Sequence, residues 1–339
     1  MDFDMSAETQ IQTIQALGYT QPEAHFLRLV ALHSGYFVRR QFLRSIDSQR
    51  GKRAQDFIDE VIARGHACRE VYREDRHLFR LQSKAVYEAL GDEDNRNRRE
   101  HQSSTVRLRL MGLDFIIEHP EYRYLATQQE KLSYFFEQRG IDAQALPARL
   151  FRSNGTVTTR YFPDGFPQFV NGGNPPVVSF VYIDDAQLSA EAFRSYLRNH
   201  RKVFESLGAV DLVFVTTTPD RFVIAQKAVA RFWSRLRESA APAADLNRLL
   251  AHFPHRLLSE KLATRELNMA QINALQQDLH TLHSPYIDHL YAVWKEFGAD
   301  GLRAEYAAQE KPANPPQINL TSSTLEYDYD LFGTLHVAS

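Results

Sequence analysis

Three aspartates are the residues whose type and spacing could perform chemistry. Asp164 follows a proline, and Asp184 and Asp185 close an apolar run that begins after a Gly/Asn/Pro turn. Acids at the ends of two neighbouring strands can hold a divalent metal ion that helps to cut DNA. They can equally be solvated strand ends, because aspartate is also favoured just before a helix begins.

The elements that must position these acids follow Pro147, where the sequence pattern changes to strands. "GTVTTRYF" alternates, "PPVVSFVYIDD" is almost continuously apolar, and "AVDLVFVTTT" is a second apolar run. Continuous apolar runs are typical of buried central strands. A helical stretch separates the last two strands, and another helix opens near Pro219. This alternation predicts a small α/β domain with a mixed sheet over residues 147–238.

The first 91 residues contain three predicted helices and a hairpin. Thr20 to Glu23 is a capping box with a proline in the first turn, and it opens "EAHFLRLVALHSG", which Gly35 ends. The second helix is predicted at "YFVRRQFLRSI" and the third at "GKRAQDFIDEVIARG". Two short runs on either side of Arg73 to Arg76 predict the hairpin. Elements in this order are typical of a winged helix-turn-helix domain.

The charge of this region favours an anionic partner. From Tyr36 to Lys84 there are 12 lysines and arginines and 7 acids, a local charge of +5 (12 − 7), whereas the whole chain carries −2. In a winged helix the third helix enters the major groove with its N-terminal residues, and Arg and Gln can contact bases bidentately. We therefore predict double-stranded DNA as the partner. The predicted contact residues are Arg39, Arg40, Arg44, Arg50, Lys52, Arg53, Gln55, Arg73 and Arg76. The alternative is a domain that binds only protein and keeps its basic residues for solubility.

Two further segments complete the predicted mixed α+β chain. Residues 92–146 are predicted to be a helical connector, with a helix from Ser103 and a second capping box at Thr127 to Glu130. Residues 239–339 are predicted to be mainly helical, with a flexible connector at 307–323 and then an alternating strand in "TLEYDYDLFGTLHV". A terminal strand of this kind pairs with its own sheet or with a partner's, so we expect a homodimer.

Composition excludes several classes of protein. No stretch approaches 18 apolar residues, so no membrane partner is expected, and the first ten residues are acidic and polar, unlike a secretory signal. The single cysteine, Cys68, allows neither an internal disulfide nor a cysteine zinc site. No glycine-rich phosphate loop or Ser/His/Asp arrangement stands out. We expect a cytoplasmic protein without a cofactor.

The order and spacing of these motifs resemble the replication-relaxation group of bacterial plasmid and mobile-element proteins. The matching parts are Pro163-Asp164-Gly165, the strand ending at Asp184-Asp185, the helix with Tyr196, and "VFVTTTPDR" from Val213 to Arg221. The resemblance covers roughly residues 21–233, from the first predicted helix of the winged helix onward. It implies a winged helix joined to a domain like the PD-(D/E)xK nucleases.

The nuclease chemistry implied by this resemblance needs more than two acids. One acid follows the proline, and the next strand carries a second acid and a lysine two residues apart; the acids bind Mg²⁺ and the lysine positions the attacking water. Here Tyr182 and Ile183 stand two residues before Asp184 and Asp185, and Ala186 and Gln187 stand two residues after them. We therefore expect an inactive domain that serves dimerisation or the sensing of an unidentified effector.

The leading hypothesis is thus a bacterial transcriptional regulator of a mobile element or a DNA-transfer system. One alternative is a Mg²⁺-dependent DNA nuclease with an unusual site, in which Asp164, Asp184 and Asp185 would be the catalytic residues. A second alternative is a relaxosome accessory protein that binds DNA beside a relaxase without controlling transcription.

Overall fold

The computed structural model describes residues 6–73, 76–153, 156–172, 177–187, 189–239, 246–260, 268–282, 285–307 and 316–329. The chain divides into two compact units. The first combines the residues up to Ala230 with those from Pro316 onward, and the second is Arg231–Pro315. Helices and sheets of both strand directions occur in the first unit, so the predicted mixed α+β class is confirmed.

The N-terminal part of the first unit alternates helices with short strands. Its elements are α1 (Ala7–Gln15), α2 (Gln21–His33), β1 (Tyr36–Phe37), α3 (Arg39–Ser45), α4 (Gly51–Ala63), β2 (Ala67–Arg73), β3 (Arg76–Leu81) and α5 (Lys84–Glu88). Strands β1, β3 and β2 form an antiparallel sheet in that spatial order. The rings of Phe42 and Phe57 stack with their centres 4.1 Å apart, which fastens α3 to α4. The predicted three helices and hairpin are confirmed at residues 21–81.

Two details of this region differ from the prediction. The helix at Ala7–Gln15 was not expected, and Tyr36 and Phe37 form β1 instead of opening the second helix. Gly35 explains the second difference, because its φ of +76° turns the chain sharply after α2. A side chain could not replace this glycine, since its Cβ would come within 2.0 Å of the Asn97 carbonyl oxygen.

The rest of the first unit contains a hairpin and a five-stranded sheet with helices. Its elements are α6 (Ser103–Glu118), β4 (Arg123–Tyr124), α7 (Gln128–Leu132), β5 (Ala148–Ser153), β6 (Thr156–Tyr161), β7 (Gln168–Asn171), β8 (Val177–Asp184), α8 (Ala190–Leu207), β9 (Ala209–Thr216), α9 (Asp220–Ser239) and β10 (Gln317–Thr324). Short 3₁₀ turns lie at Arg96–Arg98 and Ala143–Ala145, and a π turn at Ser133–Gln138 continues α7. The sheet has the spatial order β10-β9-β8-β7-β4.

The five-stranded sheet is parallel on one side and antiparallel on the other. Strands β10, β9 and β8 run parallel, whereas β7 is antiparallel to both of its neighbours. Successive residues of β8 point to opposite faces. Val181 and Ile183 join the core beneath α6, and Phe180 and Tyr182 pack against α8. The sheet therefore lies between two helical layers, as an α/β domain requires.

Residues 92–146, expected to be a connector, contribute directly to these cores. The side chains of Leu110 and Phe115 on α6 share one apolar cluster with Tyr36 of β1 and Val181 of β8. Strand β4 pairs with β7 as an edge of the larger sheet. Residues 92–146 thus lie in the first compact unit, with α6 buried against both sheets.

The predicted position of the terminal strand is wrong. Strand β10 is Gln317–Thr324, within the segment expected to be partly a flexible connector, and it pairs along its length with β9. The composition of this segment did not indicate a strand, because "TSST" resembles a linker. As an edge strand, β10 needs only two apolar side chains, Ile318 and Leu320, to face inward. The second half of the predicted strand, from residue 330, lies outside the described residues.

The second unit is helical, as predicted. Its helices are α10 (Leu246–Glu260), α11 (Met269–Thr281) and α12 (Pro285–Ala307), and its core includes Leu249, Phe253, Leu290 and Leu302. Across the residues that the structure describes, no helix has the length and apolar character needed to span a membrane.

Candidate nucleic-acid interface and aspartate sites

The first turn of α4 exposes three of the predicted contact residues. Arg50 immediately precedes the helix, and Lys52 and Arg53 lie in its first turn; all three side chains are exposed. Within the described residues, none of them has a carboxylate oxygen within 4.0 Å. The N-terminus of a helix also carries partial positive charge on its unpaired N–H groups. This turn is therefore the part of α4 that is best suited to an anion.

The rest of the exposed face of α4 is acidic. Asp56 and Asp59 are exposed one and two turns further along, and the Gln55 amide donates to the Asp59 carboxylate at 2.8 Å. Carboxylates beside DNA phosphates are repelled. An approach of DNA to α4 is consequently favourable only at its first turn, and the predicted base contact by Gln55 competes with an existing hydrogen bond.

The three predicted arginines of α3 occupy different environments. Arg39 is exposed and donates to the Gly51 carbonyl at 2.6 Å, so it contacts the start of α4. Arg44 is also exposed and pairs with Glu118 at 2.9 Å. Arg39 and Arg44 therefore remain on the predicted surface, although each already has a partner.

The prediction that Arg40 points outward is wrong. Its guanidinium is 2.7 Å from a carboxylate oxygen of Asp114, whose side chain is 1% exposed, and it also donates to the Tyr329 hydroxyl. It lies 3.5 Å from the centre of the Tyr327 ring. Gln41 donates to the second oxygen of Asp114 at 2.9 Å. Arg40 thus joins α3, α6 and the segment after β10, because a buried carboxylate requires a charged partner.

Arg73 and Arg76 face each other in the register of the β2–β3 hairpin. The tip between them and the positions of both side chains lie outside the described residues. Their predicted contact with DNA therefore stays a prediction.

Asp184 and Asp185 are buried on opposite faces of the five-stranded sheet, and each has its own arginine. Arg221, in the first turn of α9, donates to both carboxylate oxygens of Asp184, at 2.8 Å for the contact with Oδ1. Arg107 of α6 is 2.7 Å from Asp185, and both of these side chains are almost completely buried. Consecutive residues at a strand end diverge in this way because side chains alternate across the sheet.

Asp164 has different partners from this pair of acids. Its Oδ1 accepts a hydrogen bond from the Phe166 backbone N–H at 3.0 Å, and its Oδ2 is 3.4 Å from Nε2 of the buried His200. The His200 ring packs on Phe180, which is four residues before Asp184, roughly 13 Å along β8. Across the described part of the chain, no group of three or more His, Cys, Asp or Glu residues could hold a metal ion.

Tyr182 occupies the position at which the resemblance implies an acid. Its ring contacts Phe193, Tyr196 and Phe214, and its hydroxyl is buried. Burial raises the pKa of Tyr182, and the negative charge of Asp184 raises it further. The hydroxyl therefore stays neutral at physiological pH and is a poor ligand for a hard cation such as Mg²⁺.

Sequence reasoning missed the basic partners of the three aspartates. Arg221 belongs to the recognised "TTTPDR" motif, and its partner could have been anticipated, because the C-terminal ends of parallel β8 and β9 meet at one edge of the sheet. The sequence did not indicate that Arg107 pairs with Asp185, since the two residues are 78 positions apart and Arg107 lies in the segment predicted to be a connector. His200 was hidden within the apolar face of α8.

Comparisons of the chain with protein-family models, with curated proteins and with solved structures find no match. By its fold, the protein belongs to the mixed α+β class, and its described residues include a three-stranded antiparallel sheet and a five-stranded mixed sheet.

Proposed function

We propose that this chain is a sequence-specific double-stranded DNA-binding protein whose winged helix spans residues 21–81. The order α2, β1, α3, α4 and the β2–β3 hairpin, with the three strands in one antiparallel sheet, supports this proposal. In such a domain the third helix is the one that enters the major groove. That helix corresponds to α4.

The observation that carries the proposal is the basic first turn of α4. Arg50, Lys52 and Arg53 are exposed and lack a carboxylate partner within the described residues, at the end of the helix that a winged helix uses to read bases. Arg39, Arg40 and Arg44 are instead held by a carbonyl group or by acids. A charge that lacks an internal partner is free to replace the counterions of a phosphate.

The proposed role of the α/β domain is that of an inactive nuclease-like scaffold for dimerisation or effector sensing. The pairing of Asp184 with Arg221 and of Asp185 with Arg107 supports this role, because a carboxylate held by an arginine is a weak competitor for Mg²⁺. A regulatory role in a mobile element or DNA-transfer system rests on the resemblance alone, and the homodimer rests on the predicted terminal strand.

The first test is a footprint of the protein on the DNA upstream of its own gene. Protection that overlaps a promoter supports a transcriptional regulator, whereas protection confined to a transfer origin supports a relaxosome accessory protein. The absence of any protected sequence under low-salt conditions contradicts sequence-specific binding, since electrostatic affinity is greatest there.

The second test uses Arg53→Ala, Lys52→Gln and a matched control, Lys202→Gln, which changes an exposed lysine of α8. Arg53→Ala should cost roughly 1–3 kcal/mol on the protected duplex and less on a scrambled one, if this residue reads a base. Lys52→Gln should weaken both duplexes and reduce the salt slope by about one unit. Fluorescence anisotropy titrations measure both effects. Equal losses with Lys202→Gln would show that α4 has no special role.

A further inference from the structure

A cavity of about 520 Å³ lies within the first unit, bordered by the end of α2, α6, the segment before α6 and the β6–β7 loop. Its volume falls in the range of sites for small molecules. Leu108, Ile116 and Ile183 supply apolar parts of its wall, and charged and neutral polar side chains supply other parts. None of the predicted DNA-contact residues whose side chains are described lines it.

Three arginines line this cavity without a carboxylate partner among the described residues. The guanidinium of Arg109 donates to the Ser34 carbonyl at 2.7 Å and to the side-chain oxygen of Asn97 at 2.9 Å, both of which are neutral. Arg96 lies 4.6 Å from the centre of the Phe151 ring. In the described ranges, no carboxylate oxygen lies within 4.0 Å of Arg96, Arg109 or Arg160.

The arginines also act on one another. Burial lowers the pKa of Arg109 to about 10, although its tyrosine neighbours oppose this, and the charge of Arg160 lowers it further. Burial likewise lowers the pKa of Arg160, and the charge of Arg96 adds to that effect. Like charges gathered in a half-buried site repel each other unless an anion neutralises them.

Three described carboxylates, Asp92, Asp94 and Asp164, line the same cavity, and none of them is within 4.0 Å of these arginines. Asp92 accepts a hydrogen bond from Asn95 at 2.8 Å, and Asp94 is exposed. Asp164 is 3.4 Å from His200. Burial lowers the pKa of Lys131 and of Arg160, and the charge of Asp164 raises the pKa of both residues against this effect. The described lining of the cavity thus has four cationic side chains and three carboxylates, an excess of one positive charge (4 − 3).

We infer that this cavity binds a small phosphate-bearing molecule through Arg96, Arg109 and Arg160. Guanidinium groups match phosphate oxygens bidentately, and three of them around a half-buried space suit a group with more than one negative charge. The apolar wall suits the organic part of such a molecule. As an effector site this inference rests on the proposed function, but binding itself is measured without DNA.

The experiment is a calorimetric titration of the full chain with pyrophosphate, which carries the required charge, at low ionic strength. We expect saturable binding in the millimolar range or tighter. Arg160→Gln and Arg96→Gln should each weaken it at least tenfold, whereas the control Lys202→Gln should not. These two arginines are chosen because they are only half-buried, so their variants are expected to fold; circular dichroism checks this.

Several outcomes would overturn the inference. One is the lack of saturable binding at pyrophosphate concentrations up to about 10 mM. Another is an equal loss of binding in Lys202→Gln. A third is a loss of duplex DNA affinity in Arg160→Gln as large as in Lys52→Gln, because the arginines would then contact a DNA backbone rather than a small ligand. If pyrophosphate binds and DNA does not, the DNA proposal fails while this inference stands.

Discussion

Replacing Asp185 with asparagine should destabilise the first unit strongly. Its carboxylate is 2.7 Å from Arg107, and the two side chains are 3% and 1% exposed. Asparagine has nearly the same shape but no charge, so the Arg107 guanidinium would remain in the interior without this countercharge. Breaking a buried pair in this way costs about 3–5 kcal/mol. We expect the lower end of this range, about 3 kcal/mol, because the amide oxygen can still accept a hydrogen bond.

Two matched variants provide a comparison for the loss of stability expected in Asp185→Asn. Asp184→Asn breaks the pair with Arg221, whose side chain is 23% exposed, so water can solvate the remaining charge and the cost should be about 1–3 kcal/mol. Glu191→Gln changes an exposed acid of α8 that pairs with Arg194 and Arg198. Exposed pairs contribute little, so this variant should not differ measurably from the wild type.

Hydrogen exchange followed by mass spectrometry measures these differences region by region. A loss of about 3 kcal/mol should accelerate the exchange of β8 and α6 amides in Asp185→Asn by roughly 100-fold or more. Amides of α10 and α12 belong to the other compact unit and serve as an internal control. If Asp185→Asn exchanges as slowly as Glu191→Gln, the buried pair does not stabilise the sheet and the reasoning is refuted.

Three further predictions follow from the same contacts. Arg40→Gln should lower the free energy of unfolding in urea by about 2–3 kcal/mol, because Asp114 is buried, and should leave the salt slope of DNA binding unchanged; a reduced slope would place Arg40 at the DNA. Wild-type protein should not nick supercoiled plasmid with Mg²⁺ or Mn²⁺. Reproducible nicking that Asp164→Asn abolishes would contradict the prediction that the nuclease-like domain is inactive. Burial lowers the pKa of His33 to about 3, with Arg28 and Lys131 adding to the effect, so below pH 6.5 the unfolded chain gains a proton that the folded chain does not. The contribution of His33 to the free energy of unfolding should therefore fall by about 1 kcal/mol between pH 7 and 5.5. His33→Phe, which keeps a ring against Tyr124, should remove that contribution when urea unfolding is compared at both pH values.

Local elements were predictable from the sequence because their signals are local. The capping boxes at Thr20 and Thr127 form as expected, with the backbone N–H groups of these threonines 2.8 and 2.7 Å from the glutamates three residues later. The apolar spacing of α4 and the continuous apolar run of β8 depend only on neighbouring residues. These local features are sufficient to predict whether a short segment forms a helix or a strand.

The candidate contact residues were predictable only as a set of charges. Lys52 and Arg40 have the same sign and lie in neighbouring predicted helices, yet one is exposed and the other pairs with a buried acid. Sequence spacing gives the face of a helix but not the element that covers that face. The contacts of Arg40 include the Tyr329 hydroxyl in the segment after β10, almost 290 residues away in the sequence.

Sequence patterns were thus sufficient for the helices and hairpin at residues 21–81, for the apolar strands β8 and β9, for the basic character of the N-terminal region and for the absence of an acid at Tyr182. The tertiary structure alone decided that Asp184 and Asp185 pair with different arginines, that β10 joins β9, and that arginines gather around one cavity. The physical reason is that a local pattern sets the direction of a side chain within its own element. Its electrostatic partner is set by which faces of distant elements pack together, and that depends on the burial of the whole core.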